Sequence, residues 1–161
     1  MRILYVIACS SLLTLTACKV KAEELYIRGL GEIFSAGVCS IGAGKCISSF
    51  FVDNAIADFC ERRPKQIRVA GHSLGASAAI RFVNGMQACG LKVDAAAFLD
   101  PMVHPREYGI PAGIRTLTLY STTYAGVGEN QPDAEFYTGG HIMQAFDPSV
   151  LRRVRALFDR R

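Results

Sequence analysis

The chain has no tryptophan and only three histidines, His72, His104 and His141. Any reaction that needs an imidazole therefore has three places to find one. Nor is one sign of charge in large excess: 18 Lys and Arg against 14 Asp and Glu leave a formal net charge of +4. So small a surplus, with no basic stripe, excludes an electrostatic footprint for nucleic acid. The six cysteines match no common zinc spacing, so no metal is expected, and nothing implies a cofactor. No internal repeat or inner linker breaks the chain, and 161 residues favour one domain.

A long apolar run is also missing. The uncharged stretch from Ile3 to Ala17 falls short of the roughly 20 residues of a membrane span. Behind Arg2 it reads as a secretory signal. It closes on Leu15-Thr16-Ala17-Cys18, which resembles the bacterial lipobox. The resemblance implies that Cys18 is lipidated and becomes the mature N-terminus, a membrane anchor in the cell envelope. Lys19 then leans towards the outer membrane. Cleavage after Ala22, giving a periplasmic or secreted protein, and an uncleaved anchor are the alternatives. The leader thus covers residues 1–18 and a single folded domain residues 23–161. Cys39, Cys46, Cys60 and Cys89 remain, an even number in an oxidising compartment. One or two disulfides are expected, with the pairing open; buried free thiols are the other reading.

Strand and helix signals alternate along the rest. Residues 24–29, 65–71, 92–100 and 113–123 read as strands. Residues 46–63 read as a helix, with Ile47, Phe51, Ala55 and Phe59 at every fourth position and Pro64 behind it. A second helix covers residues 74–88. A third has Asp147 as N-cap and Pro148 at its first position, with Arg152, Arg153 and Arg155 on a solvated face. This alternation predicts an α/β fold: a small, mostly parallel sheet with flanking helices. Sites in such sheets lie at the carboxyl ends of the strands. Ser73, Asp100 and the Gly29-Leu30 turn all fall there.

Ser73 stands in Gly71-His72-Ser73-Leu74-Gly75, between a strand and a helix. This is G-x-S-x-G in the strand–turn–helix setting that makes a serine a nucleophile. A serine hydroxyl needs a base to take its proton and a third group to orient that base. His141, in a Gly-Gly loop before the last helix, completes the order Ser, Asp, His and is favoured as base over His104 and His72. Asp100 ends an apolar strand and is favoured as the orienting acid over Asp133, which lies in the loop after the fourth strand. The backbone N–H groups of Leu30 and Leu74 are the expected oxyanion donors. Each residue also has a bland reading: a tight turn for Ser73 and for Leu30, a turn-forming Asp-Pro for Asp100.

With these residues the chain resembles the α/β-hydrolases, and within them small bacterial lipase-like and thioesterase-like members. The shared features are Gly71 to Ala76 (GHSLGA), Leu99-Asp100-Pro101, a late histidine, and the segment Arg28 to Gly37 (RGLGEIFSAG). The resemblance implies a reduced α/β-hydrolase fold and carries the acid onto Asp100. It also implies an exported enzyme that cleaves acyl esters or thioesters through Ser73, His141 and Asp100. So short a chain leaves no room for a sizeable lid, which favours an open-site esterase over an interfacially activated lipase.

The segment between Gly29 and Ile67 shows no clear strand of its own. Without one, right-handed crossovers would stack on one face of the sheet and leave the other bare. Residues 33–46 could fold back over that face, or a second copy in a homo-oligomer could cover it. Two further functions stay open: a degenerate envelope lipoprotein that keeps the scaffold for binding, and an acyltransferase with the same triad.

Overall fold

The computed structural model describes residues 21–30, 32–122 and 134–160. The leader with Cys18, and Asp133, lie outside the described residues. Six strands form one sheet: β1 (Glu23–Arg28), β2 (Lys45–Ser48), β3 (Ile67–His72), β4 (Ala95–Leu99), β5 (Arg115–Ser121) and β6 (Glu135–Tyr137). Their order is β2-β1-β3-β4-β5-β6, and every neighbouring pair is parallel. The helices are α1 (Val52–Arg62), α2 (Leu74–Ala88), α3 (His141–Gln144) and α4 (Pro148–Asp159).

β2 corrects the expectation that no strand lies between Gly29 and Ile67. It also shortens the expected helix of residues 46–63, whose first turn is spent on β2. Ile47 has the right spacing to join Phe51, Ala55 and Phe59 on a helix, yet it pairs with Ile27 of β1. Phe51, read as part of that apolar face, is exposed. Gly44 permits the approach, because a Cβ there would run into the Glu24 carbonyl. The Cys39–Cys46 disulfide then ties β2 to the segment before it.

Placing β2 outside β1 reverses the direction of winding between β1 and β3. The connection β1 to β2, a 3₁₀ segment at Glu32–Ser40, therefore crosses one face of the sheet. Val38 and Ile41 pack there with Val150, Val154 and Phe158 of α4, over Tyr26, Ala70 and Leu99. α1 and α2 cover the other face through Phe59, Ile80, Phe82 and Val83. The face that four strands would have left bare is thus covered from within the chain, by the fold-back of residues 32–41 together with α4. The strand reversal also makes the carboxyl end of β1 and β3 a topological switch point, where such sheets hold their ligands.

The disulfide Cys60–Cys89 joins the end of α1 to the end of α2. Asp147 caps α4 by accepting the Ser149 N–H (2.6 Å). Of the α4 arginines, Arg152 and Arg153 stay on a solvated face, where Arg153 pairs with Glu135. Arg155 instead turns back to Glu24 on β1, with its Nη1 and Nη2 groups 2.9 and 2.8 Å from the two carboxylate oxygens.

Candidate active site

β3 delivers Ser73 to the carboxyl edge of the sheet with a positive φ, at φ 59° and ψ −127°. A non-glycine residue there costs roughly 1–3 kcal/mol, so the surrounding fold must impose it. It does so with small residues. A Cβ on Gly71 would strike the Gly75 carbonyl, and one on Gly75 would strike the Ile27 carbonyl of β1. The Ser73 N–H is fixed to the Leu99 carbonyl of β4 (2.8 Å). Leu74 opens α2, so its N–H has no intrahelical partner and points with the helix N-terminus towards the turn.

The end of β1 abuts this turn. A Cβ on Gly29 would lie 2.7 Å from the His72 carbonyl and 3.0 Å from the Ser73 Cβ. Leu30 therefore follows a residue in contact with the elbow, and its side chain faces solvent.

β4 delivers Asp100, also at a positive φ, 51°. Its carboxylate is wholly buried. A buried charge persists only where donors replace water, and β5 supplies one: the Ser121 N–H bonds to Oδ1 (2.7 Å). The Asp100 N–H bonds to the Leu119 carbonyl (2.7 Å), so β5 holds the residue at two points. The second carboxylate oxygen, Oδ2, accepts from Nδ1 of His141 at 2.6 Å. Because a carboxylate only accepts, Nδ1 carries the hydrogen, and the lone pair of the neutral ring sits on Nε2.

His141 opens α3, within a loop closed at its base by Tyr137, whose hydroxyl donates to Asp147 (2.7 Å). The bonds from Ser149, with that from Tyr137, hold the Asp147 carboxyl down at about 2. Gly37 packs so closely on Ala145 that a Cβ would overlap its carbonyl. The 3₁₀ segment after β1 thus touches the His141 loop directly.

The structure therefore brings Asp100 and His141 together and places Ser73 at the next strand end. His104 is drawn into the fold instead: it is buried, caps the 3₁₀ turn Pro105–Tyr108 and accepts the Arg106 N–H at Nδ1 (3.2 Å).

Sequence reasoning missed the part played by His72. Its ring is buried, 1% exposed. Nε2 lies 2.8 Å from the His141 carbonyl, and Nδ1 lies 3.1 Å from the Ser35 hydroxyl. Burial and the neighbouring His141 push its pKa down to about 4. The available signal was a histidine closing an otherwise apolar strand, which needs partners for both nitrogens. Ligand atoms of His72, Asp100 and His141 lie within 4.8 Å of one another, a spacing a metal could use. Both His72 nitrogens and both Asp100 oxygens already have hydrogen-bond partners, so the trio is knit as a proton network rather than a cation cage.

Exposed apolar side chains collect around this edge: Leu30, Ile33 and Phe34 after β1, Phe50 after β2, Met102 after β4, Ile142 and Met143 on α3. Beside the elbow, a groove of about 490 Å³ runs between α2 and the loop after β4. Leu74, Ile80, Met102, Val103 and Tyr108 line it, with Ser77, Arg81 and Asn84. A larger hollow, about 690 Å³, lies at the opposite, amino edge of the sheet. Its charges pair with neighbouring side chains, Glu24 with Arg68 and Arg155, and Arg62 with Glu23 and Asp58.

Among solved structures, the chain is similar to a YdeN-like hydrolase of Pectobacterium atrosepticum. The identity is 19% and the TM-score 0.50, over 85% of this chain and 90% of that one. A hydrolase of Bacillus subtilis aligns at 13% identity and a TM-score of 0.49, over 86% and 84%. Both hydrolase names are themselves provisional. At this identity the first likeness shows a common fold, the small parallel α/β sheet with flanking helices. No protein-family model matches the chain, and no curated protein matches it in sequence.

Proposed function

We propose that this protein is a serine hydrolase acting on acyl esters or thioesters. The observation that carries the reading is the 2.6 Å bond from His141 to the buried Asp100 carboxylate, beside a serine held in a strained turn. A buried acid that orients an imidazole, with a serine at positive φ at the next strand end, is costly to build for packing alone.

In this mechanism the Ser73 oxygen attacks the acyl carbon while Nε2 of His141 takes the hydroxyl proton. Asp100 stays ionised and stabilises the imidazolium. The N–H groups of Leu30 and Leu74 receive the oxyanion. Collapse expels the alcohol or thiol, which takes the proton from His141. Water, deprotonated by His141, then cleaves the acyl-enzyme and restores Ser73. The apolar groove at Leu74 and the apolar rim favour a hydrocarbon acyl group over a polar one.

Export to the cell envelope, through lipidated Cys18 or cleavage after Ala22, belongs to the same proposal. Its support is the pairing of all four remaining cysteines into two disulfides, the state of an oxidising compartment. Mass spectrometry of the mature N-terminus decides between the two routes.

Labelling with a fluorophosphonate probe tests this reading. Wild type is expected to label, and Ser73→Ala and His141→Ala are not. A folded wild type that stays unlabelled would remove the enzymatic reading; label retained in Ser73→Ala would remove its nucleophile.

A further inference from the structure

We infer that His72 is a positioning residue, which sets where the His141 ring stands by holding the backbone carbonyl of His141. The inference rests on the proposed role of His141 as the base.

His72 is the last residue of β3, after Val69, Ala70 and Gly71, all buried. An imidazole in such a place is costly unless both nitrogens are bonded. Both are, by loops from two different strands: Ser35 follows β1 and His141 follows β6. A carbonyl only accepts, so Nε2 carries the hydrogen and donates to His141. In the neutral ring Nδ1 then accepts the Ser35 hydroxyl. The ring is thus a cross-brace between the segment that follows Leu30 and the segment that opens with His141.

The brace acts where it matters for the base. Asp100 fixes one edge of the His141 ring, and nothing in that bond fixes the backbone behind it. The Ala145 N–H bonds to Ile142 (3.2 Å), while the His141 carbonyl accepts from His72. The two rings lie 4.6 Å apart, centroid to centroid. A charged brace at that distance would oppose the imidazolium that His141 must become. Burial keeps His72 neutral across the working range and removes that conflict.

The test compares His72→Gln, which keeps an N–H near the Nε2 position, with His72→Leu, which fills similar space without a donor. Hydrolysis of p-nitrophenyl butyrate is read as kcat and KM, with thermal unfolding as a check on folding. His72→Leu should lose kcat by roughly tenfold to a hundredfold with KM nearly unchanged, the size of effect that small misplacements produce. His72→Gln should recover most of it.

The proton NMR signal of the His141 Nδ1–H, independent of turnover, should persist in wild type and His72→Gln and be lost in His72→Leu. Equal kcat and an equal signal in all three proteins would overturn the inference. So would a loss in both variants that tracks their loss of folding. If wild type is inactive yet the signal responds as stated, the brace stands and the hydrolase reading falls.

Discussion

Glu24 at the start of β1 and Arg155 on α4 stand 131 residues apart and meet through two hydrogen bonds of 2.9 and 2.8 Å. Tyr26 and Arg68 donate to the same carboxylate, at 2.6 and 3.3 Å. Burial pushes the Glu24 carboxyl up, but these donors outweigh it and hold it below its ordinary value. The cluster ties α4 to the sheet at the edge away from the candidate site. Breaking a fully buried pair costs roughly 3–5 kcal/mol, and this one is partly exposed, so Glu24→Gln should cost about 2 kcal/mol. Urea unfolding measures that loss. Fluorophosphonate labelling at a temperature where the variant is folded should match wild type; a large change there would mean that the two edges are coupled.

Asp100→Asn should lower the rate of p-nitrophenyl butyrate hydrolysis by about 10³- to 10⁴-fold. The asparagine oxygen can still accept the Ser121 N–H, so the fold is kept. Its amide nitrogen then faces Nδ1 of His141 and favours the wrong tautomer, with the hydrogen on Nε2, where the serine proton must go. Activity within tenfold of wild type would mean that another acid, Asp133 for example, orients the imidazole.

These two cases also show what the residue order made legible. Ser73, Asp100 and the last helix could be read because each sits at a boundary with its own chemistry: a glycine-flanked turn, an acid after five apolar residues, a capped Pro. β2 could not be read, because Ile47 falls in phase with the helix behind it. Only pairing with β1 makes Ile47 a strand residue, and pairing partners are distant in sequence. Arg155 reads as a solvated side chain for the same reason: its partner lies on β1. The role of His72 is not legible in sequence, because its neighbours along the chain do not show that loops after β1 and β6 converge on it. Local chemistry marks Ser73 and Asp100 as candidates, whereas the long-range braces need the fold.

The Cys60–Cys89 bridge closes a 29-residue separation between the ends of α1 and α2. Crosslinks of this span contribute roughly 2–4 kcal/mol, chiefly by restricting the unfolded chain. Replacing both cysteines with serine should therefore lower the urea midpoint by a corresponding amount. Labelling of Ser73 in the folded variant should be unchanged, since the bridge lies at the far end of α2. Equal midpoints for the variant and wild type would mean that the two thiols are not joined in the native protein.

Acid should destabilise the protein partly through His72. Its pKa falls from an ordinary 6.5 to about 4 in the folded state, because burial and the adjacent His141 disfavour the charged ring. Between those two values the unfolded chain binds a proton that the folded chain does not, so stability rises with pH across that window. The contribution is present in full above pH 6.5 and drains away as pH falls towards 4, by about 3 kcal/mol for a shift of this size. Glutamine at position 72 does not titrate, while the carboxylates are common to both proteins and cancel in the comparison. The unfolding free energy of wild type minus that of His72→Gln, measured in urea, should therefore shrink by about 3 kcal/mol from pH 7 to pH 4. A difference that stays level over this range would mean that His72 is protonated as readily in the folded protein as in the unfolded one. A charged ring there could not coexist with a protonated His141 at 4.6 Å without cost.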